Sequence, residues 1–301
     1  MAWHSVTTAV RDLLFSIAYR MLGSVAEAED VVQEAYLRRQ TADDVSNERA
    51  WLTTVTTRLA IDVLRSARVR REAYEGAWLP EPLVEAEAPS AVESEESVSL
   101  AMLVLLERLS PVERAVFVLR ESFDVDFATI ASIVDKSEAN CRQILARARR
   151  RIDDERPRFD ADPRERRALA ARFLAAAREG DLDGLVAVLA PDAVLIGDGG
   201  GIARSLPRPM VGAAAIARAI VAFYGQIDEW GVTLEPAWVN GQPGFRTIAP
   251  DGRLVNVVGF DILDGRVVAI RSMLNPHKLS HLGEISDLGL RPSARRNVTN
   301  S

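Results

Sequence analysis

The sequence is poor in residues that build covalent or metal-bound scaffolds. One cysteine, Cys141, among 301 residues excludes a disulfide framework and any multi-cysteine metal site. Three histidines, His4, His277 and His281, leave little for a zinc centre, so neither metal nor cofactor is expected. Lysine is nearly absent: of 37 basic residues only Lys136 and Lys278 are lysine. That bias reflects base composition, and arginine abundance alone is weak support for nucleic-acid binding. No apolar stretch approaches the ~18 residues of a membrane span. The opening MAWHSVTTAVRDLLFSIAYRML has no basic start followed by an uninterrupted apolar run, so no signal peptide is expected. A cytoplasmic chain without a membrane partner follows as an expectation. What is present is ordinary for a globular protein: 48% hydrophobic and 27% charged residues. The length suggests two or three domains.

The formal charge of −6 hides a block pattern. Residues 27–34 hold four acids and no base, and residues 58–71 hold five arginines against Asp62. Residues 81–98 hold six glutamates and no base, and residues 142–158 hold seven arginines against three acids. Two basic blocks separated by an acidic segment could grip one polyanion at two places; solvated helix faces are the plainer alternative.

Apolar spacing predicts helices over 6–22, 25–40 and 48–71. Gly23 closes the first and Ser24 caps the second. On the second, Val31, Val32, Ala35, Tyr36 and Leu37 are expected inward, with Glu27, Asp30, Gln33 and Glu34 outward. Residues 76–98, with three prolines and the glutamate run, read as a linker. Helical pattern returns over 99–156. Ser110-Pro111 is an N-cap and first-turn pair. Two short helices then meet at a tight DKS turn, the second arginine-rich with Ser137 as its cap, which is helix-turn-helix grammar. From about residue 164, helices give way to apolar runs punctuated by Asn240-Gly241, Asp251-Gly252 and Asp264-Gly265, all hairpin dipeptides, so an antiparallel sheet follows. The end, 284–301, is polar and expected to fray.

AEAEDVVQEAYLR (26–38) with RAWLTTVTTRLAIDVLRSARVRRE (49–72), and LSPVERAVFVLRESFDVDFATIASIVDKSEANCRQILARARRRI (109–152), resemble regions 2 and 4 of bacterial RNA polymerase sigma factors of the extracytoplasmic-function type. The remainder resembles the subgroup with a fused SnoaL-like, NTF2-like domain. Its signatures stand here as Trp78-Leu79-Pro80-Glu81-Pro82, Asp198-Gly199-Gly200-Gly201 and Asn275-Pro276-His277-Lys278-Leu279; the family's last motif usually carries an acid where His277 stands.

The resemblance implies two all-α domains followed by an α+β cone: region 2 over 1–75, an acidic linker over 76–98, region 4 over 99–158, the cone over 159–283 and a tail over 284–301. It also implies a function: binding core RNA polymerase through its β′ and β subunits, recognising promoter DNA and initiating transcription, with the cone regulating in cis. No separate anti-sigma factor is then expected. Asp30, Gln33 and Glu34 match the polymerase-docking face. Arg58, Asp62, Arg65, Arg68, Arg70 and Arg71 match the stretch that engages the start-proximal element, where neutralisation of an extruded strand needs cations; Asp62 is expected to orient an arginine. Arg142, Gln143, Ala146 and Arg147 match the face toward the upstream element, where arginine pairs with guanine and glutamine with adenine. Arg149, Arg150 and Arg151 suit phosphates.

For the cone the alternative stays open: an enzyme, or a sensor of an unknown small ligand. Asp198, Tyr224, Asp261 and His277 are its candidate acid–base groups. GDGGG lacks the spacing of a phosphate loop and reads as close backbone approach. NPHKL reads as a turn or as an interdomain latch that, with the Asp198–Gly201 loop, docks near Trp78–Pro82 and biases the spacing of the two DNA-binding domains.

Overall fold

The computed structural model describes residues 2–87, 97–153, 162–225 and 227–291, without the side chains of 2–7, 67–72, 153, 227 and 228. The linker stretch 88–96, Arg156, Arg158 and the end of the tail lie outside the described residues. The chain divides into two compact units, Met1–Ala73 with Met102–Arg156, and Tyr74–Ala101 with Pro157–Ser301.

The first unit is helical. α1 (Ala2–Leu22), α2 (Val25–Gln40) and α3 (Glu48–Glu72) form its first part. Gly23 at φ 66° ends α1, and the Ser24 hydroxyl accepts the Glu27 N–H at 3.1 Å to start α2. Leu14, Ile17, Ala18 and Met21 pack against Val31, Val32 and Ala35 of α2 and Leu52, Ala60, Ile61 and Leu64 of α3. Leu37, expected inward, is 50% exposed. The buried stripe of α2 runs 28, 31, 32, 35, and a residue two beyond Ala35 turns away from it.

α4 (Leu100–Leu106), α5 (Pro111–Phe123), α6 (Phe127–Val134) and α7 (Glu138–Asp153) follow. Ser110 and Glu113 form a reciprocal capping box at α5, with Pro111 in its first turn. The Asp126 side chain caps α6 and Ser137 caps α7. Asp135 in the left-handed conformation makes the tight turn between them.

The second unit is a cone. α8 (Pro163–Glu179) and α9 (Leu182–Val188) precede β2 (Leu189–Asp198) and β3 (Met210–Val211). α10 (Ala213–Tyr224) and α11 (Ile227–Trp230) then lead to β4 (Thr233–Val239), β5 (Gln242–Ile248), β6 (Leu254–Leu263) and β7 (Arg266–Met273). α12 (Pro276–Leu279) follows. With β1 (Val84–Glu85), drawn from the expected linker, the sheet order is β1-β4-β5-β6-β7-β2-β3. Only the β2–β7 pairing is parallel among these. Phe173 of α8 meets Phe260 edge-on at 4.8 Å, and Phe245, Val258, Ile262 and Ile270 extend this core under α8 and α10.

Two boundaries differ from the reading of the sequence. The described parts of the linker are strand and ordered loop on the cone rather than a free tether. Residues 284–291 are bonded to the cone rather than frayed: Ser286 N–H donates to Leu254 O of β6 at 2.8 Å, and Arg204 N–H in the β2–β3 loop to Gly289 O at 2.8 Å.

Candidate nucleic-acid interface and linker clamp

On α2 the buried stripe turns Asp30, Gln33 and Glu34 outward as one acidic face, with Glu34 bonded to Arg38 one turn on at 2.8 Å. On α3, Asp62 holds Arg65 at 3.0 Å, both exposed. The side chains of Arg68, Arg70 and Arg71 lie outside those described.

Arg58 has an unexpected partner. Its Nε donates to Ile133 O at 3.0 Å and its Nη2 to Ser132 O at 2.8 Å. These are carbonyls at the C-terminal end of α6, where orphan acceptors and the helix dipole favour a cation. The third helix of the unit thereby grips the helix-turn-helix. A second tie is fully buried. Arg114 of α5 donates to Met21 O at 2.6 Å, Leu106 O at 2.8 Å and Glu107 at 2.7 Å. Burial pushes its guanidinium down to about 9, still charged at neutral pH. Sequence reading missed Arg114: it sits in an ordinary helical stretch, and its partner Met21 is remote in the chain.

On α7, Cys141, Ile144, Leu145, Ala148 and Ile152 are buried, and Arg142, Gln143, Ala146, Arg147 and Arg150 are exposed together on other faces. Arg142 bonds Glu138 at 2.8 Å and stacks over Phe127. Arg149 and Arg151 reach back to Glu121 and Glu113 of α5, at 2.7 and 2.9 Å. These two arginines therefore already have carboxylate partners.

In the cone, the three signature motifs meet. Asp198, fully buried at the end of β2, accepts the Tyr74 hydroxyl at 2.5 Å, the Leu79 N–H at 2.8 Å and Lys278 Nζ at 2.7 Å. Lys278 also donates to Leu79 O at 2.5 Å and lies over the Trp78 ring at 4.2 Å. Asn275 Nδ2 donates to the Tyr74 hydroxyl at 2.8 Å. Burial, the bond to Asp198 and that carboxylate's charge hold the Tyr74 pKa well above its ordinary value. Leu79, Pro80 and Leu279 are buried around the clamp. Gly200 and Gly201 adopt φ 56° and 73°, and the space beside them is taken: a Cβ on Gly200 would stand 2.2 Å from Asn275 Nδ2, and one on Gly201 2.6 Å from Glu75 Oε2. His277 is exposed and Pro276 only opens α12. His281, not singled out from the sequence, donates its Nε2–H to Pro82 O at 2.8 Å.

The candidate acid–base groups do not converge. Phe260 and Ile262 face the core, so Asp261 between them faces the opposite side of the sheet, ion-paired with Arg271 at 2.6 Å. Asp198 is likewise on the side opposite Leu195, which packs on the core, whereas Tyr224 packs on that core from α10. Among the described residues no group of three or more His, Cys, Asp or Glu side chains is placed to hold a metal ion, and no helix is long and apolar enough to cross a membrane.

Three family models match this chain: Sigma-70 region 2 over residues 7–70, Sigma-70 region 4 over 99–152, and a SnoaL-like domain over 170–271. The ECF RNA polymerase sigma factor SigJ of Mycobacterium tuberculosis is 39% identical over 90% of this chain and 91% of its own. The chain belongs to the ECF sigma factors. The probable ECF sigma factor SigI of the same organism is 34% identical over 91% of this chain and 93% of its own. The crystal structure of M. tuberculosis SigJ superposes with a TM-score of 0.72 at 34% identity, covering 92% of this sigma factor and 98% of SigJ. RpoE of Bartonella quintana, solved with the anti-sigma factor NepR, has a TM-score of 0.38 at 17% identity over 51% of this chain, too distant to bear on this sigma factor's own partners. As a family member, this protein is a transcription-initiation factor with a fused SnoaL-like domain, and the family implies core RNA polymerase and promoter DNA as its partners.

Proposed function

We propose that the cone controls this sigma factor in cis by holding the segment that joins its two DNA-binding regions, and that it does so without enzymatic turnover or a separate anti-sigma factor. The carrying observation is the Asp198–Lys278 clamp, which binds both the N–H and the carbonyl of Leu79. A fully buried carboxylate with three donors, one of them the linker's Leu79 N–H, is specialised for holding. Asp30, Gln33 and Glu34 present the carboxylate face for polymerase docking, where complementarity gives steering and register. Arg58, Arg65, Arg68, Arg70 and Arg71 serve the start-proximal element, with Asp62 orienting Arg65. Arg142, Gln143, Ala146 and Arg147 read the upstream element, and Arg150 binds phosphate.

The test is in vitro transcription with core RNA polymerase from a promoter selected out of fragmented genomic DNA. Asp198→Asn is expected to change promoter output several-fold while the protein still binds polymerase. Unchanged output, with the linker shown to be released, removes the in-cis reading.

A second reading, a small uncharged ligand inside the cone, has one observation in its favour. Thr247 and Asn256 are paired neighbours on β5 and β6, on the core-facing side shared with Phe245 and Val258. Asn256 Nδ2 donates to Ser272 on β7 at 3.3 Å, and Ser272 is paired with Gly197, against which Ser205 rests. The buried oxygens Thr247 Oγ1, Asn256 Oδ1 and Ser205 Oγ have no hydrogen-bond partner among the described residues. Such a neutral row suits hydroxyl or carbonyl groups.

A further inference from the structure

The hairpin between β4 and β5 turns on Asn240 and Gly241, at φ 51° and 70°, with Val239 and Gln242 paired across it. That is a two-residue hairpin, whose left-handed positions favour Asn-Gly and Asp-Gly alike. The molecule contains a control. Asp264 and Gly265 make the β6–β7 turn at φ 49° and 67°, and that turn is exposed. Asn240 is 3% exposed, so turn geometry alone does not account for its side chain.

Its carboxamide is used at both ends. Oδ1 accepts the Leu83 N–H at 3.0 Å, and Nδ2 donates to Val98 O at 3.0 Å. An aspartate could serve Leu83 but not donate to Val98. The Asn240 N–H adds a bond to Leu83 O at 2.8 Å, and β1 continues from there along β4. On the other side, a Cβ at Gly241 would stand 2.0 Å from Ser97 Oγ, and Leu100 reaches the Cβ position of Gly259 at 3.3 Å. Arg166, buried on α8, fixes the turn from behind by donating to Gly241 O at 3.3 Å.

Leu83 and Val98 bracket the acidic stretch between region 2 and region 4. One carboxamide bridges them, so the Leu83 nitrogen and Val98 oxygen lie no more than about 8 Å apart. Fully extended, the same chain length would span about 50 Å. Two DNA elements one or two helical turns apart are separated by about 35–70 Å. Reach of that order is what the joining segment must supply, and what the bridge withholds.

We propose that Asn240 is a staple that closes the linker into a loop and so limits how far apart the two promoter-binding regions can act. This deepens the in-cis reading above and rests on it. Asn240 is a positioning residue and touches neither polymerase nor DNA in this role. The stapled form is unable to place both regions on the polymerase, so its opening equilibrium enters the apparent affinity for that partner.

The experiment compares four full-length proteins for binding to core RNA polymerase and for amide hydrogen exchange: the unmodified chain, Asn240→Asp, Asn240→Gly, and a chain with ten Gly/Ser residues inserted after Glu87. Aspartate and glycine both accept the left-handed backbone, and a melting curve confirms folding of each. Asn240→Asp frees Val98 while keeping an acceptor for Leu83. Both substitutions are expected to tighten polymerase binding about tenfold, with faster exchange at 97–101 and, in Asn240→Asp, retained protection at Leu83. The insertion lies inside the closed loop and is expected to leave affinity unchanged. Unaltered affinity in both Asn240 variants, or an inserted chain that binds as tightly as Asn240→Asp, overturns the staple. If neither Asn240 variant alters affinity while Asp198→Asn still changes promoter output, the staple falls and the in-cis reading stands.

Discussion

Two tyrosines on opposite sides of the cone's sheet hold their protons harder than free tyrosine does. Tyr74 is raised by burial and by the Asp198 carboxylate it donates to, and Tyr224 by burial, with Arg178 opposing. A pKa raised on folding lends stability that is present below the ordinary value of 10.0 and is lost as pH climbs above it. Thermal melting of the cone should therefore hold steady up to about pH 10 and fall beyond. The Tyr74→Phe protein should lose part of that alkaline fall; an identical profile would contradict the assignment. Legibility at this scale depended on distance along the chain. The glycines after Asp198 were readable as close approach, because absence of a Cβ is a local property. Lys278 sits in a motif, yet its two partners, Asp198 and Leu79, come from distant segments. Arg114 carried no signal at all: a buried arginine looks like a surface one until the carbonyls around it are placed.

Elements were more legible than residues. Helix periodicity and caps located α1–α3 and α5–α7 closely, since Ser24, Ser110 and Ser137 act within their own first turns. The hairpin dipeptides placed the turns after β4 and β6. β1 escaped notice because two residues carry no alternation, and its pairing with β4 is decided by the cone. On α7 the proposed roles separate by position. Arg142 stands on the exposed face near the helix start, and Arg150 lies two turns on. Arg142→Ala should relax preference at one promoter position by about 1–3 kcal/mol, whereas Arg150→Ala should weaken all promoters alike and lower the salt dependence of binding. A promoter library scored against both variants at two salt concentrations checks this, and matching profiles would reject the division. Arg149 and Arg151, expected on phosphates, also brace α7 against α5 through surface ion pairs worth at most about 1 kcal/mol each.

At the scale of the molecule, the order of helical bundle, linker, helix-turn-helix and sheet was readable from apolar spacing and turn dipeptides, but the allegiance of the linker was not. Its glutamates and prolines suggested a solvated tether, while Leu79, Pro80 and Val98 are buried. Hydrophobic residues spaced irregularly give no period, so their burial emerges only with the surface that receives them. Within the helical unit, Arg58 bonds two carbonyls of α6, and both hydrogen bonds are near solvent. Arg58→Ala should lower the stability of that unit by about 1 kcal/mol, read as an earlier denaturant midpoint for its transition with the cone's transition unmoved.

A guanidinium carries five N–H groups, and Arg58 spends two of them on Ser132 and Ile133. In the role proposed for it at the start site, swinging the side chain toward a nucleotide competes with those two bonds. Melting a start site and loosening the upstream reader then draw on one side chain, and the two events are coupled by about the 1 kcal/mol that tie is worth.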